Sequence, residues 1–197
     1  KAVFSNEGYN LEVGPCSRDT KKPSAGVGCA SKENKVEIFV PTYLTREFEE
    51  AVETGRVERY MIDLGWEQMM QVFNLYGKAG GRKEDIAVTE ALLVVIEGEM
   101  VAEQRKTKQT IPTIICGDFN ADPEKLQGIM ALNEEEGWID VGLHADWCGG
   151  PPAATTCEAR PELKETRIDG IIANPEAACF IQEAWVKKNP LIPTHAA

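Results

Sequence analysis

Histidine is nearly absent from this 197-residue chain, which has only His144 and His195. Its six cysteines include no Cys-x-x-Cys pair, and their spacings fit no zinc module. A sequence-contiguous zinc module is therefore excluded. No apolar run reaches transmembrane length, and no secretory signal, repeat or low-complexity tract is visible. Positive charge is in deficit, with 21 Lys and Arg against 32 Asp and Glu and a net charge of -11. Such a chain repels polyanions at long range, which argues against strong non-specific nucleic-acid binding but leaves room for a local phosphate site. Hydrophobic residues make up 43% and charged residues 27%, enough apolar material for a core without a disulfide or metal staple.

The chain reads as one domain spanning residues 1–197. Cys116 and Cys179 lie in apolar runs and read as buried thiols. A reducing compartment fits this, although an even cysteine count also permits disulfides. The first residue is Lys, which is expected of a fragment or a processed chain.

Hydrophobic periodicity outlines the elements. The first 35 residues read as irregular, apart from a Gly-rich strand at Ala25–Ala30. Val36–Val40 reads as a strand and Arg46–Thr54 as a short helix. Arg56–Leu64 and Met69–Tyr76 form a hairpin around Gly65–Glu67. Ile86, Leu92, Leu93, Ile96 and Met100 recur at helical spacing within a helix over Lys83–Gln104. Ile111–Cys116 is a buried strand and Gly117–Asp122 a loop. A helix follows, capped by Asp122 with Pro123 at its first position and ended by Gly137. Further strands are expected at Trp138–Val141, Thr155–Ala159, Arg167–Ala173 and Phe180–Lys187. Helices interleaved with hairpins point to an α/β fold of stacked sheets flanked by helices, rather than a purely parallel sheet. Trp66, Trp138 and Trp185 read as core or interface aromatics.

Three short segments carry chemistry. In Gly117-Asp118-Phe119-Asn120, a buried strand delivers a carboxylate and an amide two residues apart. Continued extension would point both the same way, to hold a water and a phosphoryl oxygen together. Asp122 already explains the helix cap, so Asp118 and Asn120 are spare. Arg167-Ile168-Asp169 places a carboxylate inside an apolar strand, where it needs a partner. Arg167 or backbone donors could satisfy it structurally. His195 is the functional candidate, because a carboxylate on one imidazole nitrogen supports a cationic ring facing phosphate. Asn74 and Tyr76 share a face at the end of the second hairpin strand, although strand-end packing would explain them equally well.

In order and spacing, Asn74-Leu75-Tyr76, Gly117-Asp118-Phe119-Asn120, Arg167-Ile168-Asp169 and His195 resemble the endonuclease/exonuclease/phosphatase superfamily. Retrotransposon-type, abasic-endonuclease-like domains resemble it most. The resemblance runs from about Ala25 to the C-terminus. It implies a DNase I-like four-layer sandwich, two stacked mixed β-sheets flanked by helices, and Mg-dependent phosphodiester hydrolysis. The implied substrate is DNA, and the implied location intracellular and nuclear, with no membrane. By resemblance, Asp118 would position or deprotonate water and Asn120 would orient Asp118 and contact the scissile phosphate. His195, held by Asp169, would stabilise developing charge, Tyr76 would contact phosphate and Asn74 would support the site. Magnesium or manganese would be held through Asp118.

The family's Asn-bearing first strand and its Gln-Glu strand have no counterpart before Ala25, since Glu7 and Glu12 lie in irregular sequence. Thr194 stands where the family has an Asp before its final His. The fold is thus expected to be N-terminally incomplete and its metal binding weak. The second reading is a degenerate or truncated domain of the same fold with a binding or structural role only. The third is a phosphomonoesterase.

Overall fold

The computed structural model describes residues 8–15, 26–32, 37–144, 155–157 and 166–182. Two antiparallel strands come first, β1 (Tyr9–Val13) and β2 (Gly28–Lys32), in register from Tyr9 opposite Lys32 to Val13 opposite Gly28. β1 corrects the expectation of an irregular N-terminal region. Its side chains are exposed or half-buried throughout, so the strand carries no apolar signal for a sequence reading to detect.

The main sheet has six strands. They are β3 (Glu37–Phe39), β4 (Val57–Gly65), β5 (Gln68–Tyr76), β6 (Thr113–Asp118), β7 (Ile139–Asp140) and β8 (Asp169–Ala173). Their spatial order is β3-β4-β5-β6-β8-β7. All neighbours are antiparallel except β5 and β6, which run parallel. A parallel pair needs a crossover, and the long helix between them supplies it. The helices are α1 (Arg46–Glu53), α2 (Lys83–Thr107), α3 (Gln127–Glu136) and α4 (Pro175–Ala178), with a 3-10 turn at Pro123–Lys125. The expected mixed, layered α/β architecture is what the described residues build.

Period-two alternation divides the faces of the sheet. Phe73, Leu75, Ile115 and Ile172 meet Leu93 and Ile96 of α2, Ile129 of α3 and Phe48 of α1 in one core. Arg59 lies on that same face, fully buried. Its Nη1 donates to Glu99 Oε1 at 2.7 Å, and Glu99 Oε2 accepts the Thr45 backbone N–H at the start of α1. The opposite face carries Glu58, Asn74 and Cys116, with Asn74 Nδ2 donating to Gly28 O at 2.9 Å. This bond ties the two-stranded sheet to β5.

Other boundaries moved for local reasons. The helix expected from Pro123 is split. Asp122 caps the 3-10 turn by accepting from the Glu124 N–H, and α3 starts after Leu126, ending on left-handed Gly137. Trp138–Val141 shortens to Ile139–Asp140, because Asp140 accepts the Gly142 N–H and opens a 3-10 turn. Of Thr155–Ala159, the described residues 155–157 carry one bridge, Cys157 with Thr166, and the rest of the segment lies outside the described residues. Residues 180–182 are not strand, and the remainder of the Phe180–Lys187 segment lies outside the described residues. α4 replaces a segment with no expected element, although Asn174-Pro175 is itself a cap and first-position signal.

Trp66 is not a core residue. It is 95% exposed at the hairpin tip, where Trp66 and Glu67 both take positive φ to make the tight turn. Cys179 is exposed rather than buried. Trp138 is buried as expected, and Trp185 lies outside the described residues.

Candidate active site

Three strand ends meet at one level. Tyr76 of β5 is the register partner of Asp118 in β6, and Asp118 is the register partner of Asp169 in β8. Register partners project to the same face, so one phenol and two carboxylates stand in a row across adjacent strands. Phe119 points the other way and is wholly buried in the helix-side core. It anchors the strand end, leaving Asp118 on the opposite face.

The geometry of β6 depends on Gly117. Its φ is +138°, and a Cβ there would collide with the Leu75 carbonyl and meet Asn74 Oδ1 at 3.0 Å. Only glycine allows β6 to run this close to β5 at its last turn. Gly77, just past the end of β5, plays the matching role, since a Cβ there would strike the Phe119 carbonyl. The Gly77 N–H donates to Asp118 O at 2.7 Å.

Asn120 does not continue the extension. Its φ is +52°, so the alternation expected to align it with Asp118 stops at Phe119. The two are joined differently. The Asn120 N–H donates to Asp118 Oδ1 at 2.8 Å, and Asn120 Nδ2 donates to Gly77 O at 3.0 Å. The turn thus fixes one oxygen of Asp118 and locks the amide between β5 and β6.

Asp169 is not paired with Arg167. Arg167 instead makes a two-pronged ion pair with Asp140, at 2.8 and 2.6 Å, beneath the 3-10 turn. The Asp169 backbone is held from another side, because both the Ile168 and Asp169 N–H groups donate to Thr156 Oγ1 at 3.0 Å. Cys157 follows Thr156, and its thiol pKa is raised by burial and by the charges of Asp169 and Asp118. Cys157 is therefore a neighbour of the carboxylate row that its sequence context did not signal. His195 lies outside the described residues.

Arg56 is a second residue that sequence reasoning missed. Its Nη1 donates to Tyr76 O and Gly77 O at 3.3 and 3.0 Å, and its guanidinium lies 5.6 Å from the Tyr76 ring centroid. It brings positive charge to the row, but an arginine at the start of an ordinary strand carries no distinguishing pattern.

Two like charges at one register level disfavour each other and favour a cation nearby. Among the described residues, however, no three His, Cys, Asp or Glu side chains converge to hold a metal ion. These residues alone do not fit a resident magnesium or manganese ion. Among the described residues, no helix is long and apolar enough to cross a membrane.

No family model matches the sequence, and no curated protein matches it. Solved structures do. The chain is similar to the human Nocturnin catalytic domain with bound sulfate anion, with 19% identity and a TM-score of 0.56 over 89% of this chain and 64% of that one. It is similar to an endonuclease/exonuclease/phosphatase family protein from Bacteroides thetaiotaomicron, with 17% identity and a TM-score of 0.54 over 86% and 62%. It is also similar to the 3′ phosphatase NExo from Neisseria bound to product DNA hairpin, with 17% identity and a TM-score of 0.52 over 90% and 71%. The chain spans less than two thirds of the length of the first two. At these identities the likeness establishes the fold.

Proposed function

We propose that this chain is a phosphodiester hydrolase acting on DNA, of the abasic-endonuclease-like, retroelement type, with an intracellular, nuclear location as part of the same reading. The observation that carries it is the alignment of Tyr76, Asp118 and Asp169 at three adjoining strand ends, with Asn120 locked to Asp118. The fold shared with an endonuclease/exonuclease/phosphatase family protein and with a 3′ phosphatase bound to DNA supports it.

Asp118 accepts a proton from the attacking water, the usual work of a positioned carboxylate. Water oxygen bonds to phosphorus as the ester P–O bond breaks in line, and the leaving oxygen departs with the bonding electrons. Asn120 keeps Asp118 oriented and presents its amide to the scissile phosphate. Tyr76 offers its hydroxyl to a phosphate oxygen, and Asn74 supports the row from one step behind. By the same resemblance, His195 would balance the charge that develops on the phosphoryl oxygens.

The reading is tested with supercoiled plasmid, an abasic oligonucleotide and an inositol phosphate, each incubated with magnesium and compared with Asp118→Ala. Nicking or incision that disappears in the variant supports it. Turnover of the inositol phosphate alone would make the chain a phosphomonoesterase. Turnover of nothing would make it a binding or structural relative of the fold. Metal binding has its own test, because the carboxylates do not converge on an ion. Calorimetric titration with Mg²⁺ or Mn²⁺ is expected to show no sub-micromolar site, and a sub-micromolar site would contradict the geometry.

A further inference from the structure

The row at the strand ends has a fourth member. The Tyr76 N–H donates to Arg56 O at 2.7 Å, which extends the β4–β5 ladder one pair past Val57 and Leu75. Arg56 therefore stands opposite Tyr76. A cation, a phenol and two carboxylates share one level across the sheet.

The bonding of Arg56 divides its guanidinium in two. Nη1 donates to both Tyr76 O and Gly77 O, which uses its two protons. The side-on fork of Nε and Nη2 is left over. Neither nitrogen bonds a described residue, and neither is shielded from solvent. Arg46, Arg59, Arg82 and Arg167 each hold a carboxylate. Arg56 holds none among the described residues, although the chain has 32 Asp and Glu. Two backbone carbonyls and the Tyr76 ring, 5.6 Å away, thus fix the guanidinium without neutralising it. A fixed, unneutralised fork matches two oxygens of a phosphate group, and its prior ordering lowers the cost of binding one. Because β5 lies between β4 and β6, Tyr76 separates this fork from Asp118. A phosphate on the fork is therefore not the one that faces the Asp118 water.

We propose that Arg56 binds a backbone phosphate beside the reacting one, so that the substrate is a polynucleotide strand with at least two phosphates and not an isolated phosphoester. The identity of the reacting phosphate rests on the hydrolase reading above, but binding is measured without turnover. Fluorescence anisotropy of a short labelled DNA duplex is followed on the Asp118→Ala background. Adding Arg56→Gln is expected to weaken binding about tenfold, the scale of one lost charge-assisted hydrogen bond. It is also expected to reduce the slope of log affinity against log salt by about one. Arg56→Lys keeps the charge but lacks the fork, so it is expected to restore the slope and not the full affinity. If Arg56→Gln does not fold, the Arg56 Nε–H magnetic resonance signal of the otherwise unchanged protein carries the test, and it is expected to shift and saturate as duplex is added. In the active protein, Arg56→Gln is expected to lower kcat/KM for the duplex by far more than for bis(4-nitrophenyl) phosphate, which has a single phosphate. No turnover by the parent, with Arg56-dependent binding intact, would sink the hydrolase reading and leave the phosphate site standing. No binding of duplex, a salt slope unchanged by Arg56→Gln, an unmoved Nε–H signal, or equal losses on the two substrates would overturn the proposal, since each would reduce Arg56 to a brace for the strand end.

Discussion

Glu58 is buried to 4% exposure on the sheet face that also carries Asn74 and Cys116, and burial raises its pKa above the ordinary carboxylate value, outweighing a backbone hydrogen bond from Arg59. The folded state therefore holds that proton more tightly than the unfolded chain. The contribution is present below the unfolded value and is lost as pH rises through the folded one. Glu58→Gln should gain stability relative to the parent between about pH 4 and about pH 8. Urea midpoints at the two ends measure this, and a parent that gains on the variant as pH rises would contradict it. Cys116 is a similar case, its thiol pushed up to about 11 by burial and by neighbouring Cys29. Reactivity follows the thiolate, so iodoacetamide should label exposed Cys179 well before Cys116 in the native protein. Peptide mass spectrometry reads the order, and early labelling of Cys116 would contradict its burial. Part of the candidate site was legible at this scale. Gly117, Asp118 and Asn120 stand out because a strand that ends in glycine and spare Asx residues has few structural uses. The coupling of Asp118 to Asn120 was not legible, because it depends on a positive φ at Asn120 that no alternation pattern carries. Arg56 and Cys157 were hidden for a different reason, since both become neighbours of the row only through strand pairing.

Between elements, the Arg59–Glu99 pair joins β4 to α2, and Glu99 also receives the start of α1. Both side chains are almost wholly buried, at 1% and 3% exposure. Glu103 Oε2 also lies 3.3 Å from Arg59 Nη2, so removing Glu99 leaves the guanidinium a second carboxylate. Removing Arg59 leaves Glu99 buried without its cation, whereas replacing both with apolar groups does not. Arg59→Met should therefore destabilise by about 3–5 kcal/mol, and the double change Arg59→Met with Glu99→Leu by much less. Chemical denaturation of the three proteins checks this, and equal losses in the single and double variants would contradict it. The strong elements were readable from pattern. The β4–β5 hairpin, α2 and β6 combine long apolar periodicity with clear stops. β1 was not readable, because a strand with no buried side chains leaves no pattern. α4 was missed although Asn174 and Pro175 announce it, because four residues are too few to show helical periodicity.

For the molecule as a whole, the parallel pairing of β5 with β6 and the antiparallel return of β8 bring Tyr76, Asp118 and Asp169 to one level from widely separated stretches of sequence. The mixed sheet and its helices could be anticipated from alternating patterns, but the register that makes a row from these residues belongs to tertiary structure alone. The most direct measurement is the initial rate of plasmid nicking by the parent and by Asp118→Asn, with thermal melting confirming that both are folded. Loss of a positioned base costs about 10²–10⁴ in rate, so a drop of that size with an unchanged melting temperature is expected. Equal nicking by the two proteins would place the chemistry somewhere other than the end of β6.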